Sequence, residues 1–352
     1  MIKLGDVVDV LRRKYDDDTF SGCFCDPPYG LNFMGKTWDG EVPDVDVWSE
    51  VYRTMKSGSY VLAFGGTRTW HRLAVAIEDA GFEIRDTIMW VYGTGFPKSL
   101  DIGKSAKCSN WEGYGTALKP AYEPIIMAMK PLDGAYANNA REHGIAGINI
   151  DVSRVGDEIM KNDGIWDTDT NPYPSHKFAE RSDYTPSQMD KREKVVGRYP
   201  ANLIHDGSDE VAKNFPKTTS RFFYVPKPSQ KERNEGLDDL PDRNAGIYAQ
   251  DEWPRKNMGN TPDSQRSPIK NIHPTVKPIK LCEYIAKMIL PPNPTEQKLL
   301  VPFSGSGSEI IGAMNAGWED VTGIEISEEF IEIAKRRIEY HHGLKGVEKW
   351  IG

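Results

Sequence analysis

Apolar residues along this chain fall into two patterns: short, wholly apolar runs, and stretches with apolar positions three and four apart. Ile2-Lys3-Leu4 predicts a short strand closed by Gly5-Asp6, and Val7, Val10 and Leu11 mark one side of a helix over 7–14. Buried strands are predicted over 22–25, 60–64, 84–92 and 125–129. Helices are predicted over 47–56, with Trp48, Val51, Tyr52 and Met55 on one face, and over 70–79, ending at Gly81. From about residue 131 the pattern breaks down. Residues 131–270 are rich in Asn, Asp, Gly, Pro and Ser, with brief strand-like runs over 202–204 and 222–225, and 228–270 is close to structureless by composition. Order returns with a helix over 281–290 stopped by Pro291-Pro292, a strand over 299–301, a helix over 308–316 and a strand over 321–326. Ser327 then caps a long helix with acids at its start and Lys335-Arg336-Arg337 at its end. Alternating strands and helices imply an α/β fold, a doubly wound, mostly parallel, Rossmann-like sheet. We expect residues 1–130 and 271–352 to build it, with 131–270 as a mid-chain insertion.

Strand 299–301 leads into Phe303-Ser304-Gly305-Ser306-Gly307, a turn whose glycines let the backbone approach a nucleoside closely at a helix N-terminus. Glu325 stands 18 residues beyond Gly307 at the next strand end, where it can accept from ribose hydroxyls. Ser308-Glu309-Ile310 follows Gly307, so the third glycine of a dinucleotide site is missing, which disfavours NAD. A nucleotide sheet needs a further strand beside the one ending at Glu325, and 2–4 is the expected supplier. The fold would then be circularly permuted, with Asp6 placed to accept from an adenine amino group.

The 352 residues carry a formal net charge of −8, which argues weakly against nucleic acid, but the field at one cleft decides binding. From Lys217 to Arg233, five basic residues (Lys217, Arg221, Lys227, Lys231, Arg233) stand against one acid, Glu232. No apolar run is long enough to span a membrane, and the N-terminus has no long apolar leader. The four cysteines, Cys23, Cys25, Cys108 and Cys282, lack metal-site spacing, so no metal or disulfide framework is expected and a cytoplasmic setting is.

The apolar run 23–25 ends in Asp26-Pro27-Pro28-Tyr29. An exocyclic amine is a poor nucleophile because its lone pair is delocalised into the ring. Acceptors on its N–H groups hold it and favour a more tetrahedral nitrogen in the transition state. Asp26 and the Pro27 carbonyl can be those acceptors. Pro28 stiffens the turn and offers no N–H, and Tyr29 can stack on a base. There is no Pro-Cys dipeptide to suggest a covalent enzyme intermediate.

Together with His273-Pro274-Thr275-Val276-Lys277-Pro278, Gly65-Gly66-Thr67-Arg68-Thr69 and Lys119-Pro120-Ala121-Tyr122-Glu123-Pro124, these motifs make the chain resemble an S-adenosylmethionine-dependent DNA amino-methyltransferase of the β motif order, of the kind common in phage and prophage. The resemblance implies S-adenosyl-L-methionine as cofactor and duplex DNA as substrate, with the target base flipped out for direct in-line transfer. It further implies that 131–270 reads the target sequence, that Asp26 to Tyr29 are catalytic, and that Thr275 and Lys277 line the methionine end of the cofactor. Where the family usually carries an aspartate that helps place the methionine amino group, this chain has Val301, so Val301→Asp is expected to tighten cofactor binding.

The aspartate at 26 points to adenine N6. Cytosine N4, an RNA substrate and a DNA-binding relic without turnover stay open, and a nicotinamide dehydrogenase is the competitor from another class. Phe33, Trp38 and Phe96 are candidate neighbours of a flipped base, and Lys98, Lys104 and Lys107 candidate phosphate contacts. Neither oligomeric state nor a restriction endonuclease partner is legible.

Overall fold

The computed structural model describes residues 1–31, 39–95, 97, 99–160, 195–213, 223–241 and 270–343. In chain order the strands are β1 (Ile2–Leu4), β2 (Phe20–Cys25), β3 (Met55–Phe64), β4 (Glu83–Val91), β5 (Tyr122–Met129), β6 (Val155–Met160), β7 (Val195–Arg198), β8 (Leu203–His205), β9 (Phe223–Tyr224), β10 (Lys298–Pro302) and β11 (Asp320–Glu325). The α-helices are α1 (Val7–Lys14), α2 (Val45–Thr54), α3 (Trp70–Asp79), α4 (Ile102–Ala106), α5 (Tyr136–His143), α6 (Asp209–Ala212), α7 (Gln230–Asn234), α8 (Ile279–Met288), α9 (Ser308–Ala316) and α10 (Glu328–His342). No described helix is long and apolar enough to cross a membrane.

Nine strands form one sheet in the order β1-β11-β10-β2-β3-β5-β4-β8-β9, while β6 and β7 pair separately. Only β5 runs antiparallel to its neighbours within the nine-stranded sheet. Helices cover both faces. Leu281, Ile285, Ile310 and Ile331 of α8, α9 and α10 pack on one side, and Val10, Trp48 and Leu73 of α1, α2 and α3 on the other. Covered on both faces, β2 can be wholly apolar or small, and all six of its residues are buried. The alternation of its side chains sends Phe24 into the first cluster and Cys23 and Cys25 into the second.

The permutation expected from the sequence is present. Ile2, Lys3 and Leu4 pair in parallel with Gly323, Ile324 and Glu325, and the Gly5 N–H donates to the Glu325 carbonyl at 2.9 Å. The chain therefore begins beside the strand that lies near its other end. Sheet order reverses direction between β10 and β2, which are adjacent and parallel, with Leu300 opposite Cys23. In an open α/β sheet this switch point opens a crevice beyond the strands' C-terminal ends.

Two local readings shift. The second helix ends at Thr54 rather than running to 56. The Thr54 hydroxyl turns back to the Glu50 and Val51 carbonyls at 2.9 and 3.1 Å, and Met55 already pairs with Phe20 in the sheet. Within the span read as structureless, Gln230–Asn234 is helical, capped by the Ser229 hydroxyl, and Leu237 packs with Ile272 and Ile333. The strand-like runs near 203 and 223 extend the main sheet through β4.

Candidate active site

Asp26 follows the last residue of β2, and Phe303 follows the last residue of β10, so the two motifs lie side by side at the switch point. One cleft is lined by Asp26, His273, Thr275, Phe303, Ser304, Gly305, Ser306, Ser308 and Glu309. Residues separated by most of the chain thus share one wall.

On the β2 side, both oxygens of Asp26 are engaged. The Tyr29 hydroxyl donates to Oδ1 at 2.7 Å, and Lys277 Nζ donates to Oδ2 at 2.6 Å and to the Tyr29 hydroxyl at 3.1 Å. Glu123 Oε2 lies 3.3 Å from Lys277 Nζ, and the Tyr92 hydroxyl is 3.4 Å from Glu123 Oε1. The Lys277 side chain is only 4% exposed. Burial alone would lower its pKa, but the charges of Asp26 and Glu123 outweigh that and hold the ammonium protonated. Burial first, then the Asp26 and Glu123 charges, pushes the Tyr29 phenol well up, so it remains a donor. The motif's backbone is fixed in turn. Asp39 accepts from the Tyr29 and Gly30 N–H groups at 2.7 and 3.1 Å, and the Thr69 hydroxyl donates to the Tyr29 carbonyl at 2.6 Å. A Cβ on Gly66 would stand 3.2 Å from the Tyr29 ring, so the glycine there lets the ring settle. The segments around Gly66 and Glu123, singled out by resemblance alone, both prove to buttress the turn at 26–29.

On the β10 side, the turn is tight enough to place Phe303, Gly305 and Gly307 at φ of 62°, 47° and 80°. Only glycine takes such angles without strain, so Phe303 is held in an unfavourable conformation at the mouth of the cleft. A Cβ on Gly305 would meet His273 Nε2 at 2.6 Å. The serine hydroxyls face inward: Ser304 Oγ lies 3.2 Å from the Ile324 carbonyl, and Arg337 donates to Ser306 Oγ and Ser308 Oγ at 3.1 and 3.0 Å. The turn therefore offers chiefly backbone to a ligand. Glu325 accepts from the Gly305 and Ser327 N–H groups at 2.8 and 2.9 Å, one on each oxygen. Each oxygen keeps a second lone pair for a hydroxyl donor. Asp6, exposed beside that strand end, caps α1 by accepting from Val8 and Asp9 through Oδ1. His273 Nδ1 lies 2.8 Å from the Thr275 carbonyl, which fixes the proton on that nitrogen, and burial drives the pKa to about 3, so the ring is neutral.

The structure thus gathers Asp26, Tyr29, Thr275, Lys277, the 303–307 turn and Glu325 around one crevice, whereas Asp6 caps α1 one residue beyond the Gly5–Glu325 contact and is not among the residues that line the cleft. Lys277, expected at the cofactor, is drawn to the Asp26 carboxylate. Glu123, Glu309 and Arg337 were not singled out as site residues, since no local spacing ties them to it. Of the surface candidates, Phe33, Trp38, Phe96, Lys98, Lys217 and Arg221 lie outside the described residues. Lys104 pairs with Asp101 at 3.3 Å, and Lys107 ends α4 in the left-handed conformation.

The sequence matches the DNA methylase family with N6/N4 specificity over residues 20–336, and the chain belongs to that family. Type II methyltransferase M.HindIII of Haemophilus influenzae is 33% identical over 116 residues, a match spanning 30% of this chain and 38% of that relative's length. Among solved structures, M1.HpyAVI in complex with SAM aligns over 96% of this chain and 98% of its own, at 16% identity and a TM-score of 0.43. TTHA0409 of Thermus thermophilus aligns over 97% and 96%, at 15% identity and a TM-score of 0.42. PvuII DNA methyltransferase, described as cytosine-N4-specific, aligns over 96% and 85%, at 12% identity and a TM-score of 0.49.

Proposed function

We propose that the protein is a site-specific DNA methyltransferase that modifies the N6 amino group of adenine in duplex DNA, with S-adenosyl-L-methionine as methyl donor. The observation that carries this reading is the shared cleft: an acceptor carboxylate at the tip of β2 opens onto the same space as the glycine turn after β10. A nucleoside-bearing donor fits that turn. Gly305 leaves the wall free where a side chain would collide with His273, and Glu325 has lone pairs to spare at the neighbouring strand end. The residues that would hold it are Phe303 to Gly307, Glu325, Asp6 and Thr275. When bound, the donor supplies an electrophilic methyl group on a sulfonium.

The chain's own part is to present and polarise the amine. Asp26 accepts one N–H of the flipped base and the Pro27 carbonyl the other, which localises the lone pair on nitrogen. Each Asp26 oxygen accepts from one resident donor, Tyr29 on one and Lys277 on the other, and keeps a second lone pair for the incoming N–H. The base can therefore bind beside both contacts. Lys277 stays against the carboxylate as its counter-charge, and the Tyr29 ring provides a face for the base. Segment 131–270 is proposed to read the target sequence, and the cell's cytoplasm to be the setting.

Labelled donor, duplex DNA and nucleoside identification test the reading. N6-methyladenine is expected. N4-methylcytosine alone would move the assignment to the second base the family serves, and transfer to RNA but not DNA would overturn the substrate class.

A further inference from the structure

Asp26 and Glu309 are the two acids that line the cleft, and no lysine or arginine lines it. Asp26 carries its own counter-charge, Lys277, at 2.6 Å. Glu309 does not. It is the second residue of α9 and only 4% exposed, and among the described residues it makes no ion pair within 4 Å. What steadies its charge is first the Lys277 ammonium, which lies beyond contact, then its own backbone N–H and the Arg337 guanidinium. Arg337 turns one arm to Ser306 and Ser308, and its remaining nitrogens have no partner. A buried carboxylate without a partner is costly, and burial together with the Asp26 charge pushes Glu309 up to about 7. The N-terminal end of α9 favours an anion there but does not neutralise it. A carboxylate of this kind, open to the cleft and with no cation in contact with it among the described residues, is arranged for a cation that arrives from outside.

We propose that Glu309 receives the α-ammonium of the donor's methionyl end. The inference rests on the donor assignment above and deepens it by naming the carboxylate that binds the amino acid portion. An ammonium suits the position better than the sulfonium does, because it brings N–H donors to a carboxylate that accepts from no other side chain.

Calorimetry with three ligands tests this: S-adenosylmethionine, which has both cationic centres; S-adenosylhomocysteine, which keeps the ammonium and lacks the sulfonium; and 5′-methylthioadenosine, which has neither. Glu309→Gln should weaken the first two by about 10- to 100-fold, the effect of one charged hydrogen bond, and leave the third unchanged. Glu309→Asp, which keeps the charge one methylene further back, should fall between. The unliganded Glu309→Gln protein should melt no lower than the wild type, because it loses an uncompensated buried charge. Equal loss of all three ligands, or a lowered melting temperature without ligand, would mark Glu309 as a structural support and overturn the inference. Loss confined to S-adenosylmethionine would point to the sulfonium and overturn it too, as would no loss at all. Wild-type protein that binds none of the three would sink the donor assignment itself, and this inference with it.

Discussion

The tip of β2 and the first turn of α9 each hold a carboxylate against the same cleft, and the two are kept in opposite ways. Asp26 has Tyr29 on one oxygen and Lys277 on the other. Glu309 has neither hydroxyl nor ammonium within reach among the described residues. The difference follows from what each would bind. An amine held by geometry can share its acceptor with a resident cation, because the acceptor has lone pairs in excess and the amine is neutral. A cationic ligand cannot share so easily. A resident ammonium would have to be displaced, and the binding free energy would shrink by the strength of the pair it breaks. An internal partner is therefore compatible with positioning a neutral nucleophile, and its absence is suited to capturing a charge.

Breaking the paired side should have the largest effect. Lys277→Met leaves Asp26 and Glu123 facing each other's charge in a buried site, and a loss of about 3–5 kcal/mol is expected in denaturant melts. The double variant Lys277→Met with Asp26→Asn should lose less than the two single losses combined, because the groups form one network. Asp26→Asn alone should reduce methylation by about 10²–10³-fold, the scale of one misplaced transition-state hydrogen-bonding group. Calorimetric affinity for the donor should be retained in that variant. Persistence of full methylation would remove Asp26 from the catalytic role.

This pairing also shows where sequence reasoning stops. The strand-turn-helix logic after residue 298 and the apolar run before Asp26 were legible because each is local, and the missing neighbour of β11 could be assigned to 2–4 because a sheet edge needed filling. The Lys277–Asp26 contact joins residues 251 apart, and it exists only because β10 and β2 are neighbours. No periodicity carries that information. The antiparallel β5 was equally hidden, since its apolar run reads the same in either direction. Glu309 was hidden by its setting, for an acid in the first turn of a helix is ordinary until burial makes it exceptional.

The unpaired side should respond with the opposite sign. Glu309 ionises at about 7 in the fold against an ordinary value of 4.5. Between those values the folded chain holds more protons than the unfolded one, so stability falls as pH rises through that window and stays reduced above it. Glu309→Gln should recover on the order of 3 kcal/mol at pH 8, and much less at pH 5, in denaturant melts without ligand. Donor affinity in the wild type should in turn weaken from pH 8 to pH 6 as the carboxylate protonates, and the Gln variant should be flat. The groups around Glu309 are Asp26, Tyr29, Lys277, Arg337, Cys25 and Cys282, with His273 across the cleft. Lys277 stays charged, His273 stays neutral, and burial raises both thiols. The Asp26→Asn variant should shift the midpoint downward, because the Asp26 charge helps hold Glu309 up.

The smallest effect separates the two places from which a carboxylate could serve the methionyl end. Val301 is fully buried on β10 opposite Gly323, within the apolar cluster that α8 and α9 cover. With Glu309 in place, an aspartate at 301 would add a second acid to a site that already has one, so the tightening expected from the motif alone should not appear in Val301→Asp. In the Glu309→Gln background the same substitution should restore part of the lost affinity for S-adenosylhomocysteine, by about tenfold or less given the burial that the new carboxylate suffers. Tightening by Val301→Asp in the wild-type background would mean that the ammonium site is vacant of acid in this protein, and that Glu309 serves something else.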